Sequence, residues 1–415
     1  MRIVVIGAGI VGLACAHALV ADGHEVRVLD RDPEGDRASH GNAGGIAVTE
    51  ILPASVPGLW KRVPRWLLDP LGPLAIRPAH LPKLAPWLRA FLEAGRPERV
   101  SHATAALAAL NGRVYDDLVP LLADMGLADD LRRDGALTVY ETERGFEADA
   151  WERRVRAEHG QRLEVLSGAE ARALEPALSP RVVRAVFDPH WSIVADPKRI
   201  VAALARRLAE RGVAFHKGEA RALAIRDDRV SVALADGSAG DADIAIVAAG
   251  AWSGALAQSV GDRVLVESER GYNTTIPQPG IALGRQLIFA EAKFVATPLA
   301  IGLRIGGAAE FAGLSAPANH RRSEALARIA KRYLPDLETR GGTAWMGQRP
   351  ATPDSLPVIG FSPGRGRVVY AFGHGHLGLT QSATTGRIVA DLLSGRPPAI
   401  DPTPFSIARF GRKLA

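Results

Sequence analysis

With one cysteine and three methionines in 415 residues, the chain has little sulfur chemistry open to it. The lone Cys15 excludes an internal disulfide and any multi-cysteine metal or iron–sulfur site, which points to a reducing compartment. It lies in an apolar helical stretch, where a small buried residue is expected. No apolar tract reaches the roughly 18 residues of a membrane span. A glycine-rich motif begins close to residue 3, so no signal peptide is expected ahead of it. The net charge of +6 is not gathered into a basic block; arginines are spread along apparent helices, often as Arg-Arg pairs. Solvated helix faces account for that pattern, with weak attraction to anionic lipid as the alternative. No basic tract is interleaved with aromatics, so nucleic acid is not an expected partner. No metal site, internal repeat or low-complexity tail is evident. Hydrophobic residues at 47% and charged ones at 23% are ordinary globular values, and the length suits two or three domains. A cytoplasmic location follows, with peripheral association at the inner membrane face left open.

The N-terminus carries the strongest pattern. Ile3-Val4-Val5-Ile6 reads as a buried parallel strand, Gly7-Ala8-Gly9-Ile10-Val11-Gly12 as a turn into a helix from Leu13 to Asp22, and Glu25 to Asp30 as a second strand. Each glycine has its own steric task. Gly7 permits the tight turn, Gly9 lets a pyrophosphate approach the backbone, and Gly12 lets the helix pack close to the strand. Phosphates would sit on free N–H groups at the positive end of the helix. Asp30, with Arg31 after it, ends the second strand where a carboxylate can accept hydrogen bonds from ribose hydroxyls. The alternative is a glycine turn that merely packs well.

A second glycine-rich loop, Asn42-Ala43-Gly44-Gly45, suits a cofactor longer than one nucleotide, though a plain flexible loop has the same composition. Residues 51–96 mix Trp60, Trp66 and Trp87 with Pro53, Pro57, Pro64, Pro70, Pro73, Pro78, Pro82 and Pro86, which predicts short turns rather than long helices. Ser101 to Met125, Ala148 to His159 and Ser323 to Tyr333 have helical spacing. Asp196-Pro197 starts a helix that stops at Gly212. Ala242 to Val247 is a buried strand running into Ala248-Ala249-Gly250-Ala251-Trp252-Ser253, so Ala249, Gly250 and Trp252 join the candidate site. Glu269 to Asn273 opens a β-rich excursion. Near the end, a strand over 368–372 leads through Gly373-His374-Gly375-His376-Leu377-Gly378, with Leu379 and Thr380, into a last helix ending near Leu393, a second ligand-facing switch or another phosphate loop.

Taken in order, the first fingerprint, Asn42-Ala43-Gly44, Ala248 to Ser253, Gly347-Gln348-Arg349-Pro350, Thr352-Pro353-Asp354 and Gly373 to Gly378 resemble the D-amino acid oxidase family of flavoproteins over nearly the whole chain. Within it the sequence is most similar to bacterial D-amino acid dehydrogenases, through Arg270-Gly271-Tyr272, Ile305 to Glu310 and the Gly373-His374-Gly375 loop. The resemblance implies an α/β fold, with a Rossmann-like FAD-binding domain (residues 1–50, 145–255 and 335–415) interleaved with an α+β substrate domain on an antiparallel sheet (51–144 and 256–334). It implies non-covalent FAD, since Cys15 is far from the late cysteine that carries flavin in some members. It implies a small amino acid substrate, a D-amino acid or a secondary amino acid such as D-proline, and a quinone or dye-like electron acceptor. A glycine or sarcosine oxidase using oxygen and a non-catalytic flavin-binding subunit are the alternatives. Arg349 matches the carboxylate clamp, with Gly347 in the same segment, Tyr272 a pocket tyrosine, and Gly373 to Gly378 the turn beside the flavin. Tyr272, His374 and His376 are candidate orienting groups, His376 departing from the smaller polar residue of dehydrogenase relatives. The bland readings are Arg349 paired with Asp354, Tyr272 packed in a core, and both histidines bound to backbone.

Overall fold

The computed structural model describes residues 1–59, 63, 71–226 and 228–411. In chain order the elements that build the site are strand β1 (Arg2–Ile6), helix α1 (Ile10–Ala21), β2 (Glu25–Asp30), β3 (Leu74–Ile76), α2 (Leu81–Ala94) and β4 (Ala136–Tyr140). There follow β5 (Ala214–Lys217), β6 (Ile244–Val247), β7 (Glu267–Ile276), β8 (Gln286–Phe289), β9 (Phe294–Leu299) and β10 (Gly302–Phe311). Last come β11 (Thr343–Ala351), β12 (Val358–Ser362), β13 (Arg365–Phe372) and α3 (Gly378–Leu393).

Six strands form one sheet in the order β5-β2-β1-β6-β13-β12, parallel except for β12 at its edge. The apolar runs of β1 and β6 are buried on both faces, as a central parallel strand requires. Helix α1 carries Gly12, Ala14, Cys15, Ala16 and Ala18 among its larger residues, so it can lie tightly between this sheet and α3. At Gly386 a Cβ would come within 2.6 Å of the Ala14 carbonyl oxygen. Asp124, on the helix Val114–Asp124, ties α1 to the helix Pro197–Glu210 and the residue after it by accepting from His17, Arg207 and Arg211.

The second sheet has nine strands, in the order β11-β7-β10-β9-β8-β4, then Arg184–Asp188 and Glu164–Ser167, with β3 beside β10. Its pairs are antiparallel except β8 with β4 and β10 with β3. The Rossmann-like sheet and the mainly antiparallel sheet are thus both present. The expected domain bounds do not coincide with them. Residues 164–167, 184–188 and 343–351, assigned to the cofactor side, pair in the nine-stranded sheet, while Leu107 and Leu118, assigned to the substrate side, lie in the core beneath the six-stranded one. Strands far apart in sequence decide sheet membership, and no local pattern reports such pairing.

Residues 51–96 depart from expectation as well. α2 is a 14-residue helix despite Pro82 and Pro86. Pro82 stands in the first turn, where an N–H has no helical partner, whereas Pro86 removes an interior bond at about 3 kcal/mol. The helix survives because Leu84 and Trp87 are buried, with Trp87 packed 5.0 Å from Phe91 and 5.1 Å from Phe311. Trp60 and Trp66 lie outside the described residues. Among the described residues no helix is long and apolar enough to cross a membrane, and no group of acidic, histidine and cysteine side chains could hold a metal.

Candidate functional site

The three glycines after β1 do different work. At Gly7, with φ at +114°, an added Cβ would stand 2.4 Å from the Ala248 carbonyl oxygen, and at Gly12 one would stand 2.0 Å from the Gly7 oxygen. Both are glycine because of the protein's own packing. Gly9 is not: apart from Ser39 Oγ at 3.5 Å, no heavy atom lies within 4 Å of a Cβ placed there. The space above Gly9 is cavity, at the N-terminus of α1, which is the cradle a pyrophosphate needs. Asp30 Oδ2 accepts from the Ala8 N–H at 2.7 Å and Oδ1 from the Asp32 N–H at 2.9 Å, so the carboxylate shapes the turn as well as facing the cavity. The Arg31 guanidinium stacks 3.7 Å over the Trp252 ring, joining two candidate residues from sequence-distant loops. Ser39, absent from the sequence reading, caps α1 by accepting from the Ile10 N–H at 3.0 Å. Arg37 likewise donates to the carbonyls of Ala8 and Asp32.

One continuous cavity of about 1380 Å³ runs from this turn to Arg349. That exceeds the roughly 300–1,000 Å³ typical of a small-ligand pocket, leaving room for a dinucleotide and a substrate together. Every expected cofactor-binding residue borders it except Gly12, Gly44 and Thr380. These three support the wall. Gly44, with φ at +83°, lies where a Cβ would meet Leu299 at 2.7 Å, and Asn42 Oδ1 accepts from its N–H at 2.8 Å. Thr380 Oγ1 accepts from the Ala47 N–H at 3.1 Å, joining the second glycine loop to α3. Arg304 donates to the His40 and Asn42 carbonyls, and Asn273 Nδ2 to the Gly41 carbonyl at 2.8 Å. Asn273, 4% exposed, borders the cavity, and its amide oxygen is buried with no partner among the described residues. An unpartnered buried acceptor of this kind suits a ligand N–H or O–H. Trp191 and Gln286, joined by a 2.8 Å bond, also border the cavity and carried no sequence signal.

Arg349 sits on β11 directly across from Glu269 on β7. Its Nη1 donates to Glu269 Oε1 at 2.6 Å and to the Ala308 carbonyl at 3.3 Å, and the guanidinium lies over Gly271, where a Cβ would fall 2.2 Å from Nη2. Asp354 is not its partner, because Arg409 holds that carboxylate at 2.8 Å. The Gly373 to Gly378 turn lies beside it. Gly375 N–H donates to the Pro350 carbonyl at 2.9 Å, and positive φ at Gly373 and Gly375 makes the turn.

Tyr272 borders the cavity, but its hydroxyl turns away from it. Residues alternate in a strand, so Tyr272 and Glu269 project from opposite faces of β7. The Tyr272 hydroxyl donates to Glu310 Oε2 at 2.5 Å and accepts from the Asn319 N–H at 3.1 Å, and neither of those residues borders the cavity. Burial, then the Glu310 bond, push its phenol pKa up. It belongs to the core under the nine-stranded sheet. His374 borders the cavity but is 4% exposed, with Nε2 2.9 Å from Thr385 Oγ1. Burial pushes its pKa down to about 3, so it stays neutral. His376 is exposed at the cavity rim.

A family model described as FAD dependent oxidoreductase matches residues 2–392. The chain is 37% identical to a D-amino-acid oxidase of Bradyrhizobium diazoefficiens, over 99% of each chain. It is 34% identical to a D-amino acid dehydrogenase of Xanthobacter autotrophicus, again over 99% of each. Among solved structures the fold is similar to a glycine oxidase from Geobacillus kaustophilus, with a TM-score of 0.75 at 23% identity over 98% of this chain and 99% of that one. It is also similar to L-proline dehydrogenase from P. horikoshii, with a TM-score of 0.75 at 18% identity over 99% and 97%.

Proposed function

The chain belongs to the FAD dependent oxidoreductase family, and from that premise we propose that it oxidises a D-amino acid or a related secondary amino acid, with Arg349 holding the substrate carboxylate. The observation that carries this reading is the placement of Arg349: a guanidinium facing a large cavity, beside the glycine turn that leads into α3. FAD fits the rest of the cavity, since Gly9 leaves open the cradle a Cβ would fill and Asn273 offers a buried acceptor. Gly9, Ile10, Val11 and the α1 N-terminus would hold the pyrophosphate, and Asp30 with the Arg31–Trp252 pair would hold the adenosine end. The Asn42 to Gly45 loop and the Gly373 to Leu379 turn would flank the ring. Bound flavin supplies the two-electron acceptor for the substrate α-hydrogen, leaving an imine that water hydrolyses to a 2-oxo acid.

The protein's own part is positioning. Arg349 fixes the carboxylate by its planar fork, and this orients the α-carbon. His374, neutral and bonded to Thr385, packs the turn and moves no proton. Cys15 is fully buried within α1 with its thiol pKa pushed up to about 12, so flavin is held without a covalent bond to sulfur. A quinone or dye-like acceptor suits the relatives named dehydrogenase, and oxygen suits the relative named oxidase. Peroxide formation in aerated buffer separates the two. Anaerobic mixing with a panel of D- and L-amino acids tests the reading itself: a D-amino acid should bleach the yellow flavin stoichiometrically and yield the 2-oxo acid. A panel that leaves the colour unchanged would remove it.

A further inference from the structure

We propose that Ala308 is a positioning residue: a bulge in β10 turns its carbonyl onto Arg349, so the protein occupies Nη1 of the guanidinium and reserves Nε and Nη2 for the substrate carboxylate. This rests on the reading that Arg349 takes that carboxylate. The bulge is defined by the pairing of β10 with β7. Arg270 lies opposite Glu310 and Tyr272 opposite Gly307, so two residues of β10, Ala308 and Ala309, face Gly271 alone. Gly271 is the residue over which the Arg349 guanidinium lies.

Ala308 has φ at +57°, in the left-handed region that residues with a side chain avoid. Asp228, Lys293 and Ser355 share that sign, but they fall between strands, and of these four Ala308 alone lies within one. Strain of this kind persists where the surroundings enforce it, and it gathers at functional sites. Alternation from Arg304 and Gly306, both on the cavity, would send the side chain of residue 308 to the cavity as well. Ala308 instead packs in the core that holds Tyr272, and its carbonyl accepts from Arg349 Nη1 at 3.3 Å. Nη1 has two hydrogens to give, and Glu269 Oε1 takes the other at 2.6 Å, so that nitrogen is fully committed. Nε and Nη2 make no hydrogen bond among the described residues, and the Arg349 side chain keeps 28% of its surface open beside the cavity. Two contacts on one nitrogen fix the plane of the fork. The donors left over, Nε and Nη2, are the parallel pair that matches the two oxygens of a carboxylate.

Two measurements test this. Crystals of the FAD-loaded protein soaked with propionate, which has a carboxylate but no amine to oxidise, should show its oxygens on Nε and Nη2, with Glu269 and the Ala308 carbonyl still on Nη1. Propionate on Nη1 in place of either one overturns the proposal and leaves Arg349 as the clamp; propionate bound away from Arg349 overturns both. In solution, Ala308→Val puts a β-branched residue where φ must be positive, so the bulge cannot keep its form. KM for the best D-amino acid should rise roughly tenfold or more, the worth of one hydrogen bond to a charged group, while KM for the decarboxylated amine and the flavin content stay as in the parent. Ala308→Gly takes a positive φ freely and should rescue KM to within about twofold of the parent. A parent-like KM in Ala308→Val, an equal rise for amino acid and amine, or no rescue by glycine overturns the positioning role. Should Ala308→Val not fold, the propionate complex decides the matter alone.

Discussion

A guanidinium 2.6 Å from a carboxylate is already partly neutralised, and at the residue scale this governs what Arg349 can hold. Nη1 is engaged by Glu269 and Ala308, so a substrate carboxylate must take the other side of the fork or displace Glu269. Arginine's planar fork can present donors to two carboxylates at once, a fixed geometry that the single ammonium of a lysine lacks. His374 shows a different use of burial. Its folded pKa of about 3 lies below the usual histidine value of 6.5, so the unfolded chain binds a proton here that the folded chain refuses. Stability from this group is therefore intact above pH 6.5 and is lost as pH falls toward 3, at about 1.4 kcal/mol per pH unit. Urea unfolding at pH 7 and pH 5 should show a loss of about 2 kcal/mol attributable to His374, absent in His374→Gln. Equal acid sensitivity in both proteins would show that the imidazole is not held neutral.

At the element scale, the N-terminal strand, turn, helix and second strand were legible because the glycine spacing and the strand-to-helix periodicity are carried within one short stretch. Gly7 and Gly12 contact backbone within the same unit or at Ala248, and Asp30 closes on Ala8. Ser39 and Glu269 were not legible, since each acts on a partner from another element: Ile10, and Arg349 across a strand pair. The partners of the Tyr272 hydroxyl were not legible for a related reason: a motif gives the order of residues but not where a side chain's polar end points. α2 was missed because proline count was weighed without the burial of Leu84 and Trp87 against it. The local unit yields a direct prediction. Since a Cβ at Gly9 would meet only Ser39 Oγ, at 3.5 Å, Gly9→Val should fold with an unchanged circular dichroism spectrum yet lose FAD on purification. Stoichiometric flavin in that variant would mean that the cradle lies elsewhere.

At the scale of the whole molecule, two sheets and the loops between them enclose one cavity, and its two ends come from different parts of the chain. The six-stranded sheet supplies the glycine turn and the start of α3, and the nine-stranded sheet supplies Glu269, Asn273 and Arg349. Arg304 and Asn273, from the second sheet, hold the glycine-rich loop that leads out of the first. On the proposed reading, this arrangement would set a cofactor and a substrate face to face. It was legible as a fold class, though not as boundaries, since β4 pairs with β8 from more than a hundred residues away.

The central claim is that Arg349 aims an amino acid carboxylate so that its α-carbon meets the flavin. Steady-state kinetics of Arg349→Ala and Arg349→Lys, on the best amino acid and on its decarboxylated amine, test it most directly. Removing one partner of a buried charge pair costs roughly 2–5 kcal/mol, or about 30- to several-thousand-fold in kcat/KM. The account predicts that loss on the amino acid, with Lys only partly restoring it, a much smaller loss on the amine, and full FAD content in both variants. Equal losses on the two substrates, or purification without flavin, would contradict it and make Arg349 a structural residue paired with Glu269.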